Sequence, residues 1–296
     1  MASLVAVDWG TSTLRGALLG DSGEVLQERT FPRGVLTLAA GEFRDAFDRS
    51  FGDWMQRVAL ALVCGMVGSR EGWKEAPYCA CPAGFEEIAA HLEWIEPGRI
   101  AIVPGVSRDE DGVPDVMRGE ETQVLGALRI AQLDDAVLVL PGTHSKWVRV
   151  EDGRIRSFTT FMTGEVYALL ARHSILARSL PATHEVFDEP AFLRGVAHAV
   201  HAGSLLGSAF SVRTLRLFDR IAQPLAPSYL SGLVIGEELR TRDVEGESVL
   251  VVGAPELARR YRLALAAMGA RPRTIGSEAT WRGLAALAAA ARGCIC

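Results

Sequence analysis

Short apolar blocks separated by polar turns open the chain. LVAVDWG (4–10) reads as a buried strand, TST (11–13) as a polar loop and LRGALL (14–19) as a second strand. DSGE (21–24) then reads as a turn and VLQERTF (25–31) as a third strand. Connections this short make an antiparallel meander, not the strand–helix–strand opening of a dinucleotide-binding unit. The period then changes. Over 42–58, Phe43, Phe47, Phe51 and Trp54 fall on one helical face. ALALVCGM (59–66) reads as a buried strand and 68–84 as loop. FEEIAAHLEWI (85–95) has helical spacing and RIAIVPG (99–105) is a further strand. RGEETQVLGALRIAQL (118–133) reads as a helix whose acidic first turn suits the positive helix N-terminus.

About 130 residues after the first meander the pattern returns. AVLVLPG (136–142), THS (143–145), KWVRV (146–150), EDG (151–153) and RIRSFTTF (154–161) repeat strand, polar loop, strand, turn and strand. Gly10-Thr11 matches Gly142-Thr143, and the turn glycines Gly23 and Gly153 follow at nearly the same distance. This duplication predicts two domains of related topology, 1–134 and 135–296, each offering a hairpin loop to one cleft. The remainder reads as helices at 164–176, 192–202, 204–218 and 229–240, then a buried strand SVLVVG (248–253). A helix follows with Pro255 near its start and Gly269 near its end, the expected asymmetry. A short strand, PRTIG, and a last helix from Glu278 close the pattern.

Composition narrows the functions. The chain has 296 residues and a formal charge of −5, which argues against a mainly electrostatic binder of nucleic acid or membrane surfaces. No apolar run approaches the ~18–20 residues of a membrane span. No basic stretch followed by an apolar core marks a signal peptide, so a cytoplasmic protein is expected. Five cysteines, an odd number, do not suggest a disulfide framework. Cys79-x-Cys81 and Cys294-x-Cys296 could in principle supply four thiolates, but zinc pairs more often have two intervening residues, and free thiols are expected. Only Lys74 and Lys146 are lysines, each within an unusual stretch, SREGWKEAPY and PGTHSKW. P-loop, GxGxxG, HExxH and GxSxG patterns are absent, and His198 and His201 read as packing or surface residues.

Five stretches could carry chemistry. In VAVDWGTSTLRGALL an acid ends a strand before Gly10, Thr11, Ser12 and Thr13, a turn whose N–H groups and hydroxyls can cradle phosphate oxygens. Asp8 could hold Mg²⁺ there, mostly through water. LPGTHSKWVRV repeats the turn as Gly142, Thr143, His144, Ser145 and Lys146, with Leu140 where the first has its acid. Two such turns, one acidic and one cationic, suit a nucleotide triphosphate and its metal. PDVMRGEETQVLGAL offers Glu120 and Glu121 at a helix start with Asp115 upstream. Any of these carboxylates could take a proton from an attacking hydroxyl. The strand-to-helix turn at Gly253 and Ala254 could accept an adenosine. Arg70, in GMVGSREGW, and Arg118 are rivals for a bidentate grip on a substrate carboxylate, with Trp9 a further substrate-side candidate. Each stretch also has an ordinary structural reading: a polar hairpin, dipole compensation or a surface ion pair.

Together these stretches resemble a known group. The twin strand–turn–strand units with Asp8 resemble the actin-like ATPase and sugar-kinase superfamily. VDWGTSTLR, GMVGSREGW, PDVMRGEETQ, LPGTHSKWV, FMTGE, HSIL and LSGLVIGEEL together resemble the 2-dehydro-3-deoxygalactonokinases, from Val5 to about Leu287. The resemblance implies an α/β fold of two ribonuclease-H-like domains around a central cleft. It also implies ATP- and Mg²⁺-dependent phosphorylation of 2-dehydro-3-deoxy-D-galactonate at its terminal 6-hydroxyl, in galactonate catabolism. Carried over, Asp8 and Thr11–Thr13 match the first phosphate motif, Gly142–Ser145 the second and Gly253–Glu256 the adenosine motif. Two departures stand out. Gly253-Ala254 occupies a site where the superfamily often has two glycines. Related kinases usually have an Asp base near the start of the helix before the second motif, and here the acids in that helix are glutamates. Glu120 is the first choice for the base, then Glu121 and Asp115. The expected partners are a small sugar acid and a nucleotide, with no nucleic acid and no membrane. The sequence leaves open whether the chain acts alone or as a homodimer. The alternatives are a kinase of the same fold for another sugar or sugar acid, an actin-like nucleotide switch, and a phosphatase of the superfamily.

Overall fold

The structure, a computed structural model, describes residues 1–181 and 186–294. Strands β1 (Ala2–Trp9), β2 (Leu14–Gly20) and β3 (Val25–Phe31) form the expected antiparallel meander. Helix α1 (Phe43–Met55) follows, then β4 (Ala61–Cys64) and β5 (Cys79–Ala80). The aromatic stripe of α1 is buried with Val5, Val7, Trp9, Leu14 and Leu18, so the 3.6-residue period of one element meets the 2-residue period of another. Next come α2 (Phe85–Ala90), β6 (Glu93–Glu96), β7 (Ile100–Ile102), β8 (Val106–Glu110), β9 (Val113–Met117) and α3 (Glu120–Ala131).

The repeat supplies β10 (Ala136–Leu140), β11 (Ser145–Glu151) and β12 (Arg154–Phe161). Helices α4 (Thr163–His173), α5 (Glu189–Ala202), α6 (Leu205–Ser208), α7 (Ser211–Leu217) and α8 (Ala226–Leu239) come next. The chain ends with β13 (Ser248–Val252), α9 (Pro255–Ala267), β14 (Arg271–Ile275) and α10 (Glu278–Cys294). The first sheet runs β3-β2-β1-β4-β7-β6 and the second β12-β11-β10-β13-β14. Apart from the added edge strand β6, both sheets therefore have one order, with the meander's first strand beside the next core strand. A separate small sheet runs β5-β8-β9.

Three details differ from the sequence reading. The helix expected over 85–95 stops at Ala90, and Glu93–Glu96 pairs antiparallel with β7; pairing with a formed strand overrides helical spacing. The small sheet falls in stretches too short and polar to read as strands. The helix expected over 204–218 is two short helices. By compactness the chain groups as Met1–Leu138, Trp147–Thr159 and the segment from Ile275 in one unit, and Val139–Lys146 with Thr160–Thr274 in the other. This differs from a single cut at 134/135. In the first unit α10 lies on α3 and α2, and the start of β12 is tied to α2 by Arg154–Glu87 (2.5 Å) and to Ala83, just before α2, by a bridge from Ile155. Among the described residues no helix is long and apolar enough to cross a membrane.

Candidate active site

In the first unit, Asp8 lies at the end of β1, level with Cys64 on the parallel neighbour β4 and opposite Arg15 on β2. Its carboxylate is ion-paired to Arg15. The next turn is closed by the Gly10 N–H donating to the Thr13 carbonyl (2.9 Å). Val35 and Leu36 N–H groups donate to the Gly10 and Thr11 carbonyls (3.0 and 3.2 Å), backing the turn from behind. A Cβ at Gly34 would lie 2.2 Å from Thr11 and Ser12 backbone atoms, so this close backing requires glycine. Thr11 and Ser12 stay exposed.

Two glycines bring the start of α3 to the same place. A Cβ on Gly65 would sit 3.2 Å from the Asp8 Oδ1, and one on Gly119 would sit 3.1 Å from the Gly65 Cα. Glu120 is half-buried and its Oε2 accepts from the Arg118 N–H (3.0 Å). Glu121 is fully buried. Its carboxylate accepts from the Gly119 N–H (2.7 Å) and the Thr122 hydroxyl (3.0 Å). Burial, then the charge of Glu120, push its pKa up to about 8, overcoming those hydrogen bonds. Burial, with the carboxylates of Asp8 and Glu121, also pushes the Cys64 thiol up. Asp115 projects half-buried from β9, opposite Arg108, and accepts from the Val116 N–H (2.8 Å).

The buried Glu121 has a measurable consequence. Between an unfolded pKa near 4.5 and a folded one near 8, the native state holds the extra proton, so stability falls as pH rises through that window. Glu121→Gln removes the titration. Its thermal midpoint should gain on wild type between pH 5 and 8, by on the order of a few kcal/mol in stability. A midpoint difference that stays flat with pH in thermal melts would show that Glu121 does not titrate there.

The three substrate-side candidates separate. Trp9 is fully buried, packs on Phe43 and Trp73, and donates its indole N–H to the Arg33 carbonyl (3.1 Å). The structure therefore gives it a core place, because the alternation of β1 turns position 9 inward. Arg70 is exposed and paired with Glu75 (3.1 Å). Arg118 stacks on Tyr78, donates Nη2 to the Ala76 carbonyl (2.8 Å), and keeps Nε and Nη1 buried without a partner.

In the second unit the Gly142–His144 turn follows β10, and Glu165 N–H donates to the Thr143 carbonyl (3.0 Å). A Cβ at Gly164 would lie 2.5 Å from the Gly142 carbonyl, so α4 can approach this turn only through glycine. Thr143 and His144 are exposed, and the His144 Nε2 bonds Glu165 (2.6 Å). Ser145 and Lys146 turn inward. The Ser145 hydroxyl donates to Glu238 (3.0 Å) and the Lys146 ammonium to the Thr160 hydroxyl (2.8 Å). Gly253 and Ala254 lie between β13 and α9, and β13 is the sheet neighbour of β10.

Several of these residues escaped the sequence reading. Gly34, Gly65 and Gly119 act through contacts distant in sequence. Arg15 was within reach, since hairpin register alone sets it against Asp8. Cys64, Cys79 and Cys81 are free thiols, and among the described residues no group of three His, Cys, Asp or Glu could hold a metal; the side chain of Cys294 and the whole of Cys296 lie outside the described residues. Burial holds the Cys81 thiol up at about 11. His198 and His201 are exposed on α5.

Two sheets of one strand order, each delivering a Gly-Thr turn from the end of its first meander strand, define an α/β protein of the actin-like ATPase and sugar-kinase fold. A component of (R)-2-hydroxyglutaryl-CoA dehydratase from Acidaminococcus fermentans shares that fold, with a TM-score of 0.51 at 15% identity over 98% of this chain and 100% of that one. The chain belongs to the 2-keto-3-deoxy-galactonokinase family, whose model matches residues 8–287. It is 38% identical to a protein assigned as a 2-dehydro-3-deoxygalactonokinase in Rhizobium meliloti (strain 1021), over 97% of this chain and 96% of that one. It is 35% identical to the 2-dehydro-3-deoxygalactonokinase of Escherichia coli (strain K12), over 90% and 91%. A crystal structure from Sinorhizobium meliloti with the same assignment superposes at a TM-score of 0.88 and 38% identity, over 98% and 99%.

Proposed function

We propose that this chain transfers the γ-phosphoryl group of ATP to the terminal 6-hydroxyl of 2-dehydro-3-deoxy-D-galactonate. Family membership carries the reading, and the recurrence of an exposed Gly-Thr turn in both sheets supports it. The Thr11–Thr13 and Gly142–Thr143 turns bind phosphate oxygens through backbone N–H groups and hydroxyls. The 6-hydroxyl attacks phosphorus, an O–P bond forms, the bond to the ADP oxygen breaks, and Glu120 takes the hydroxyl proton. Glu120 is preferred to Glu121 because its carboxylate is only half-buried. Arg118 is preferred to Arg70 for the substrate carboxylate, because two of its buried nitrogens have no partner in the protein while Arg70 is spent on an exposed ion pair.

Among the described residues no cluster of three acidic, His or Cys ligands could hold a metal. A single carboxylate at the phosphate turn fits Mg²⁺, which keeps its waters and takes other ligands from the nucleotide. Asp8 would hold it, and the ion would supply charge neutralisation on the triphosphate.

The reading is tested by ADP release from Mg-ATP with and without the galactonate substrate, beside its gluconate epimer and plain hexoses. Strong stimulation by the galactonate compound alone is the expected result. Stimulation by another sugar acid instead would reassign the substrate. Slow hydrolysis unaffected by every sugar would favour a nucleotide switch.

A further inference from the structure

The phosphoryl-transfer reading leaves one buried carboxylate of the second unit without a role. Glu238, on the last turn of α8, is 2% exposed. Three hydroxyls converge on it. Ser145 donates to Oε1 (3.0 Å), Tyr261 donates to Oε2 (2.6 Å), and Thr163 donates to the same Oε2. Burial and the neighbouring Glu238 charge push the Tyr261 phenol well above its ordinary value, so it keeps its proton and remains a donor.

The donors come from three elements. Ser145 ends the second Gly-Thr turn. Thr163 begins α4, and the following Gly164 lies against Gly142 and Thr143. Tyr261 is in the middle of α9, the helix that starts from Gly253 and Ala254. A small cavity lined in part by Gly142, Thr163, Gly164, Arg260 and Tyr261 adjoins the cluster, and the Arg260 Nε is buried there without a partner.

We propose that Glu238 is a positioning residue for the nucleotide. Its carboxylate pins the Gly142–Ser145 turn to α4 and α9, so that the turn and the Gly253-Ala254 junction face one nucleotide in a fixed relation. It does not touch the nucleotide, and the role rests on the kinase reading above. An ionised carboxylate only accepts hydrogen bonds, so it can serve all three hydroxyls. A carboxamide of the same shape has one acceptor oxygen and a donor NH₂, so a hydroxyl that donated to the replaced oxygen must turn away. Because the candidate base and substrate residues Glu120 and Arg118 are in the other unit, the effect falls on the nucleotide alone.

The test compares wild type, Glu238→Gln and Tyr261→Phe. Calorimetry reads Mg-ATP binding without sugar, and steady-state ADP release reads both KM values. Glu238→Gln is expected to raise the nucleotide Kd and KM by about tenfold or more while the sugar-acid KM stays put. Tyr261→Phe, lacking one hydroxyl, should raise the nucleotide constants by a smaller factor, and it carries the comparison if Glu238→Gln does not fold. Nucleotide constants unchanged beside a lowered thermal midpoint would reduce the cluster to a structural one. A parallel rise in both KM values would overturn the role as well. Wild type that neither bound nucleotide nor phosphorylated any sugar acid would remove the underlying kinase reading. Wild type that did both, with the variants' nucleotide constants unshifted, would remove only the role of Glu238.

Discussion

Asp8→Asn should cut turnover with saturating Mg-ATP and sugar acid by about 100- to 1,000-fold, the scale of losing one electrostatic group at a phosphoryl-transfer site. Asparagine keeps the shape of Asp8 but drops the charge that faces Arg15 and the exposed Thr11–Ser12 turn. The loss belongs to turnover, not to sugar affinity, because the acid lies beside the turn proposed to hold phosphate. Arg15, freed from its ion pair, remains as a cation beside that turn, so nucleotide affinity should hold or rise. Steady-state rates across a Mg²⁺ series, with direct titration of the sugar acid, separate these effects. An equal loss of sugar-acid affinity would place Asp8 at a different part of the site.

Glu120→Gln should reduce kcat by about 100- to 10,000-fold, the range for removing a general base, with both substrates bound as in wild type. Its neighbour provides the control. Glu121 is sealed among the Gly119 N–H, the Thr122 hydroxyl and Cys64, and its raised pKa leaves it largely protonated at neutral pH. A protonated, buried carboxyl is poorly placed to accept a proton from a substrate. Glu121→Gln should therefore change the pH dependence of stability far more than it changes kcat. Single-turnover rates at pH 7 decide between them: full turnover in Glu120→Gln with collapse in Glu121→Gln would exchange their roles.

Strong local signals made much of the fold legible. The meander, its return at β10–β12, the aromatic face of α1 and the Pro255-to-Gly269 helix all appear where periodicity and end residues put them. The misreadings occur where tertiary pairing competes with local pattern. Glu93–Glu96 has helical spacing but lies along β7, and β5 and β9 pair on either side of β8, so their strand form depends on neighbours that no local pattern contains. Among the candidate site residues, sequence pattern marked the two Gly-Thr turns and the acids at the α3 start. It did not distinguish an exposed Thr143 from an inward Ser145, nor a half-buried Glu120 from a sealed Glu121.

The sequence by itself determined the repeated strand–turn–strand unit, the residue types at both turns and the family to which the chain belongs. Those properties rest on nearest neighbours and on spacing, which a linear chain already contains. Only the tertiary structure decided which polar groups face outward and which are consumed internally. Trp9 became core, Arg15 became the partner of Asp8, and Ser145, Thr163 and Tyr261 came together on Glu238. Burial and hydrogen-bond partnership depend on segments that meet only when the chain folds, and the pKa of Glu121 depends on both.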